Sequence, residues 1–197
     1  DRMPTPSRKK QTRFNSTESA RRAKIAKQIP ANAMRETPLL TRNLKLVPNT
    51  LEDVRAMLQA QSPAERANMS PDRLQQLETV TSADPWSHGF SVKLGDSDAV
   101  VGDAAFKKPP TADGVVEIAY GIDPEYQGKG FATEAAQALV DFALGSGRVR
   151  VVCAHTLADA EASKRVLTKC GFQHVGVVND PEDGWVWRWE KRNAAVS

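Results

Sequence analysis

Ile122-Asp123-Pro124-Glu125-Tyr126-Gln127-Gly128-Lys129-Gly130-Phe131-Ala132-Thr133-Glu134 follows an apolar run, Val115-Val116-Glu117-Ile118-Ala119-Tyr120, and leads into a stretch whose apolar residues have helical spacing. Strand, glycine-bearing turn and helix, in that order, build an anion cradle. Glycine lets the backbone turn tightly and bring successive N–H groups close to a ligand. The unpaired N–H groups of a helix start, with the helix dipole, then favour negative charge. The segment therefore points to a phosphate-bearing ligand.

Two phosphate loops fail on spacing. A nucleotide P-loop needs Ser or Thr after its lysine, and Lys129 is followed by Gly130. A dinucleotide fingerprint needs a third glycine, and Thr133 stands where it belongs. A third pattern is met: Gln or Arg, two residues, Gly, one residue, then Gly or Ala, preceded by an apolar-x-Pro step. Gln127, Gly130 and Ala132 fill it, with Ile122 and Pro124 upstream. This resembles the acetyl-CoA pyrophosphate loop of the GNAT superfamily of N-acetyltransferases.

The order of elements outside the loop agrees. A strand is expected at Leu44–Val47, then a helix from the cap Thr50 to Ala60 and a second helix capped by Ser70 that carries Leu74, Leu77 and Val80. Strands are expected at His88–Leu94, Ala99–Phe106 and Val115–Asp123. The helix after the loop should carry Ala132, Ala136, Leu139 and Ala143 on one face. A strand at Val149–Ala154 and a helix at Ala158–Cys170 follow, closed by Gly171. Strands at Phe172–Val178 and Trp185–Lys191 end the series. The sum is an α/β (α+β) domain over residues 36–197, with a mixed, mostly antiparallel sheet of about seven strands and helices on both faces. That matches GNAT topology, and Ser163-x-x-x-x-x-Lys169-x-Gly171-Phe172 resembles the family's fourth-helix ending. The run from Glu117 to Tyr120, with Gly130 to Ala135, is most similar to the ribosomal-protein N-terminal (alanine) acetyltransferase-like branch.

Composition sets outer limits. The chain has 197 residues, 40% of them apolar and 26% charged, in keeping with a globular protein built on one ordinary domain. No apolar run approaches the roughly 20 residues of a membrane span, and no signal-peptide pattern is present, so a cytoplasmic setting is expected. Cys153 and Cys170 make neither a disulfide framework nor a metal cluster; they read as buried small hydrophobes, and no metal is expected. Residues 1–35 carry ten Arg or Lys against Asp1 and Glu18, a net charge of +8, which leaves −5 on the remainder of a chain with +3 overall. This basic arm is expected to be flexible or a short helix. It reads either as a docking arm for RNA, a ribosome or another acidic partner, or as a solvated tail.

The resemblance implies acetyl-CoA as co-substrate and a direct attack by an amine on its thioester. It places the diphosphate against the turn: Gln127 from the pattern, the amides of Gly128, Lys129, Gly130, Phe131 and Ala132, the Thr133 hydroxyl and the Lys129 charge. The pantetheine arm is implied to pair like an added strand with the backbone at Gly121 and Ile122, where an N–H polarises the thioester carbonyl. The acceptor must also lose a proton. An α-amine of pKa near 8 is about 10% neutral at pH 7, a lysine about 0.04%. Glu117, an acid in an apolar strand, is the candidate general base, set against a plain salt-bridged carboxylate. Glu134 is explained by the helix dipole alone, and His88, His155 and His174 read as lone structural histidines. The family's helix tyrosine, a proton donor to the leaving thiolate, is replaced by Leu167, and a helix-start asparagine by Ala160; Ser163 is a candidate contact to CoA or to a water.

Trp185, Trp187 and Trp189 share a strand face, as core cover or as the wall of an acceptor cleft. Trp86 and Asp84 precede the second strand, where relatives shape the acceptor site. The acceptor is a small-molecule amine or a peptide N-terminus, and the protein a monomer or homodimer. The rival to an enzyme is a non-catalytic acyl-CoA-binding or regulatory module, favoured by Leu167 and Ala160; a third reading makes the domain a tether for an RNA-binding arm.

Overall fold

The computed structural model describes residues 37–60, 62, 84–181 and 183–193. The expected basic arm and the helix capped by Ser70 lie outside these residues. The elements are β1 (Leu39–Leu40), β2 (Leu44–Pro48), α1 (Leu51–Ala60), α2 (Pro85–His88), β3 (Phe90–Leu94), β4 (Val100–Phe106), β5 (Val115–Ile122), a 3-10 turn (Pro124–Tyr126), α3 (Phe131–Gly145), β6 (Val151–Thr156), α4 (Glu161–Lys169), β7 (Gln173–Asp180) and β8 (Gly184–Arg192).

The strands form one 8-stranded sheet in the order β1-β2-β3-β4-β5-β6-β8-β7. Every neighbouring pair is antiparallel except β5 and β6. The strand beyond the expected seven is β1, whose two residues are too few to show a period-2 pattern. No helix among the described residues is long and apolar enough to cross a membrane.

Alternation gives the sheet two distinct faces. Ala104 and Phe106 of β4, Val116 and Ile118 of β5, and Val152 and Ala154 of β6 are buried in one cluster with Ala135, Ala136, Leu139, Val140 and Ala143 of α3. The alanines let α3 lie close to the strands, while each buried Leu, Val or Phe contributes about 1.5–3 kcal/mol. Leu167 of α4, fully buried, joins the same cluster. At the start of α1, Thr50 and Asp53 cap each other: the Asp53 N–H donates to Thr50 Oγ1 (3.1 Å) and the Thr50 N–H to Asp53 Oδ2 (2.7 Å). The Thr50 hydroxyl and amide together hold the Asp53 carboxyl below its ordinary range.

Two expectations change. The strand expected from His88 begins at Phe90, because Asp84 caps a one-turn helix with Pro85 at its first position; the Trp86 N–H donates to Asp84 Oδ1 (3.3 Å), and Gly89 at φ +70° turns the chain into β3. Asp84 is thus spent on a cap. Trp86 is buried with ring centroids 4.6 Å from Phe106 and 5.1 Å from Phe142, so it is core on the α3 side rather than a wall of an acceptor site. In β8, Trp189 is buried and donates Nε1–H to Thr156 Oγ1 (3.1 Å). Trp187 stacks on His174 at 4.4 Å and lies under Lys164 Nζ of α4 at 4.0 Å. These two tryptophans cover the helix side of the sheet, and Trp185 is exposed.

Candidate active site

β5 and β6 pair only where Val115, Val116 and Glu117 face Val151, Val152 and Cys153. Beyond that point they diverge. β5 stays paired with β4 as far as Ile122, and β6 with β8 as far as Thr156. A gap therefore opens in the middle of the sheet, with main-chain groups on both sides. The Asp123 N–H donates to Val101 C=O (2.9 Å) and the Lys107 N–H to Glu117 C=O (3.0 Å). These bonds set the phase: odd-numbered residues of β5 bond to β4, and past the last pair with β6 the N–H and C=O of Tyr120 and the N–H of Ile122 face the gap. Ile122 lies as the sequence suggested. Gly121 does not; its backbone is committed to the β4 ladder, and Tyr120 takes its place beside the gap.

The gap ends at the glycine turn. Gly128 (φ +75°) and Gly130 (φ +86°) hold the left-handed conformation that lets the chain reverse into α3. A Cβ built on either would meet no protein atom within 4 Å, so open space lies over the turn. The Gln127 N–H is taken by Pro124 C=O (3.3 Å), and the Glu134 N–H by Gly130 C=O (3.1 Å). Between them the first amides of α3, those of Phe131, Ala132 and Thr133, have no intrahelical acceptor. These features fit a diphosphate. Gln127 Nε2 donates to Ile122 C=O (2.8 Å) and braces the turn against the strand. Lys129 Nζ sits 5.1 Å from the centre of the Tyr126 ring, which keeps its charge beside the turn.

Glu134 faces away from this work. It accepts from the Asn43 N–H (2.8 Å) and Asn43 Nδ2 (3.1 Å). Burial raises its pKa, but the bonds from Asn43, Thr41 and Arg42 outweigh burial and leave it lowered. It ties the β1–β2 turn to α3. On α4, Ser163 is half-buried one turn before Leu167, and Leu167, sealed in the core, offers no proton. Of the two tyrosines, Tyr120 is on the strand that lines the gap; burial, then the neighbouring Cys170, raises its pKa, so it keeps its proton.

The face away from α3 carries the charged groups. Glu117 is there with its Oε1 3.2 Å from Lys107 Nζ and 3.0 Å from His155 Nδ1. His155 also lies 4.0 Å from Asp180 Oδ2. Arg188, the cross-strand neighbour of His155, bonds Glu190 at 3.0 Å. Burial opposes the charge on Lys107, but Glu117 beside it, with Asp180 and Asp183, raises its pKa on balance. A cleft of about 410 Å³ opens here, lined by Lys107, Lys108, Glu117, Cys153, Asp180 and Arg188 among others. Burial pushes the Cys153 thiol up to about 11, which favours its protonated form, and both cysteines are buried and free. Nearer the open end of the gap, Asp103 pairs across the ladder with Gly121. It is exposed by area yet enclosed enough by protein that desolvation, then the charge of Asp123, raises its pKa.

The sequence therefore located Glu117 but not its surroundings. In the sequence His155 stands alone, and no local pattern marks Lys107, Asp180 or Asp103. Parity was the available signal: His155 stands two residues after Cys153, on the same strand face. No group of His, Cys, Asp and Glu among the described residues has the geometry of a metal site.

Comparison with known proteins agrees with this architecture. The family model for the acetyltransferase (GNAT) domain matches residues 43–173. An uncharacterized N-acetyltransferase, p20, of Bacillus licheniformis is 28% identical over 155 residues, covering 73% of this chain and 86% of that protein. Among solved structures, the RimL ribosomal L7/L12 alpha-N-protein acetyltransferase in complex with coenzyme A superposes with a TM-score of 0.58 at 16% identity, covering 79% of this chain and 98% of that one. The aminoglycoside acetyltransferase AAC(6')-Ib in complex with coenzyme A gives 0.58 at 17% identity, covering 77% and 96%.

Proposed function

The chain belongs to the GNAT family of N-acetyltransferases, and we propose that it moves the acetyl group of acetyl-CoA to a primary amine, a peptide N-terminus or a small molecule, by direct attack. The observation that carries this reading is the β5–β6 gap opening onto the glycine turn. Acetyl-CoA supplies an activated acyl group on a thioester. In this reading the residues at the turn hold its diphosphate: the amides from Gly128 to Thr133, with the Lys129 ammonium beside them. Tyr120 and Ile122 offer N–H groups to an extended arm lying in the gap, as an added strand would be held. The Tyr120 N–H is the donor nearest the paired end and the candidate to polarise the thioester carbonyl.

The acceptor approaches from the face away from α3. The cleft there, about 410 Å³, is within the size range of small-molecule sites, and it also has room for the first residue of a peptide. Its walls carry both signs of charge, with Glu117 and Asp180 as the acids. Asp103 and Asp123 add negative charge near the open end of the gap, which favours a cationic acceptor. Proton removal falls to the Glu117 side of the site. Tyr120, which keeps its proton, is our candidate donor to the leaving sulfur in place of the family's helix tyrosine.

The test is release of free CoA thiol from acetyl-CoA against a panel of peptides with free N-termini, polyamines and aminoglycosides. At least one acceptor should raise the rate tenfold or more over hydrolysis. Release no faster than hydrolysis with every acceptor would contradict the proposal.

A further inference from the structure

We propose that His155 is the base of this reaction, its Nε2 taking the proton of the attacking amine while Glu117 positions the ring through Nδ1; the assignment rests on the acetyl-transfer reading above. Four observations converge on it. First, Glu117 Oε1 lies 3.0 Å from His155 Nδ1. An ionised carboxylate only accepts hydrogen bonds, so Nδ1 carries the hydrogen, and in the neutral ring the lone pair is left on Nε2.

Second, Nε2 is buried without a hydrogen-bond partner among the described residues. The side chain is 10% exposed. Leaving such an atom unpaired carries a desolvation cost, and a proton-accepting role accounts for keeping it. Third, the ring stands where the gap begins. Cys153 is the last residue of β6 paired with β5, and His155 is the next one on the same strand face. Fourth, Glu117 is already engaged. Its Oε1 is shared by Lys107 Nζ (3.2 Å) and His155 Nδ1, which suits it to hold a charge rather than to collect a proton.

The groups facing the ring come from every strand around it: Glu117 from β5, Lys107 from the end of β4, Asp180 from β7, and Arg188, tied to Glu190, from β8. The negative charge of Glu117 stabilises the imidazolium once it forms. In the step itself the amine nitrogen bonds to the acyl carbon, the carbon–sulfur bond breaks, and an N–H proton passes to Nε2, directly or through one water. The thiolate then takes a proton, and the imidazolium releases its own to solvent. The net change is amine plus thioester to amide plus thiol.

Two measurements on the whole protein test this. Nitrogen-15 NMR of histidine-labelled protein, with His155 identified by its loss in His155→Gln, should show the neutral ring protonated on Nδ1. Glu117→Ala should shift it toward the Nε2–H form. In CoA-release assays with the fastest acceptor of the panel, His155→Gln should lower kcat about 10²–10³-fold, leave the KM for acetyl-CoA within twofold, and change the shape of the pH–rate profile on its acid side relative to the wild type. A wild-type ring protonated on Nε2 would overturn the assignment. So would a His155→Gln protein with the wild-type kcat and pH profile. If His155→Gln does not fold, the wild-type tautomer decides. Calorimetry with acetyl-CoA separates the two ideas: no binding to the wild type removes the acetyl-transfer reading, whereas intact binding with unchanged turnover in the variant removes only the role of His155.

Discussion

Replacing Gly102 by alanine is expected to cost about 3–5 kcal/mol of folding stability, at the upper end of single-residue effects. A Cβ at Gly102 would stand 2.1 Å from the carbonyl oxygen of Gly121 and 3.0 Å from Ile122 Cα. Both are backbone atoms of a central strand, so no side-chain rotation relieves the clash. The β4–β5 ladder would have to open where Asp103 pairs with Gly121. Urea denaturation measures the loss; a change under about 1 kcal/mol would mean that the two strands are not so close. Gly121→Ala is the control. Its Cβ would meet Asp103 Oδ1 at 3.4 Å, an ordinary contact with a side chain, and should cost less than about 1 kcal/mol. Because β5 also forms one wall of the gap, Gly102→Ala should weaken acetyl-CoA binding even where the protein remains folded.

Gly130→Val should spare the fold and destroy the ligand site. At φ +86° a β-branched residue is strained by about 1–3 kcal/mol, which a domain of ordinary stability survives. No protein atom lies within 4 Å of the added Cβ, so the side chain would project into the open space over the amides of Phe131 to Thr133. Acetyl-CoA affinity should fall 100-fold or more, about 2.7 kcal/mol, by titration calorimetry. Gly147→Val gives the contrast. Gly147 also has a left-handed conformation (φ +72°) with nothing within 4 Å, but it lies past the far end of α3. Its strain should be similar and its effect on acetyl-CoA binding under twofold. Equal affinity losses at the two positions would assign the effect to strain rather than to a blocked site.

These results depend on different layers of the molecule, and the sequence exposed the layers unequally. The glycine turn, α3 and the flanking strands were readable because their signals are local: Gly128 and Gly130 beside Pro124, and an apolar face with helical spacing. The short elements were not. β1 has two residues, and the turn of helix at Pro85–His88 hides its Asp84–Pro85 cap within a loop. The site was legible as to which strand, but not as to which side of it. Period-2 alternation says that Tyr120 and Gly121 point to opposite faces; it does not say which of them has a backbone bonded to β4, because that phase is set by Val101 and Lys107 on another strand. Likewise Glu117 stood out as an acid in an apolar run. Its meeting with His155, 38 residues later, follows from the parallel register of β5 and β6, which no local pattern encodes. Leu167 carries no proton to donate, and its burial in the core gives the physical setting: it packs where a polar group would have no partner.

The claim on which the rest stands is that acetyl-CoA lies in the gap with its diphosphate on the turn, and amide hydrogen exchange resolved by residue tests it most directly. With saturating acetyl-CoA, exchange should slow at least tenfold at the Tyr120 and Ile122 amides and at Phe131, Ala132 and Thr133, while Gly121, already bonded within the ladder, changes little. Unaltered exchange at both the gap and the turn, or protection confined to other strands, would contradict the account.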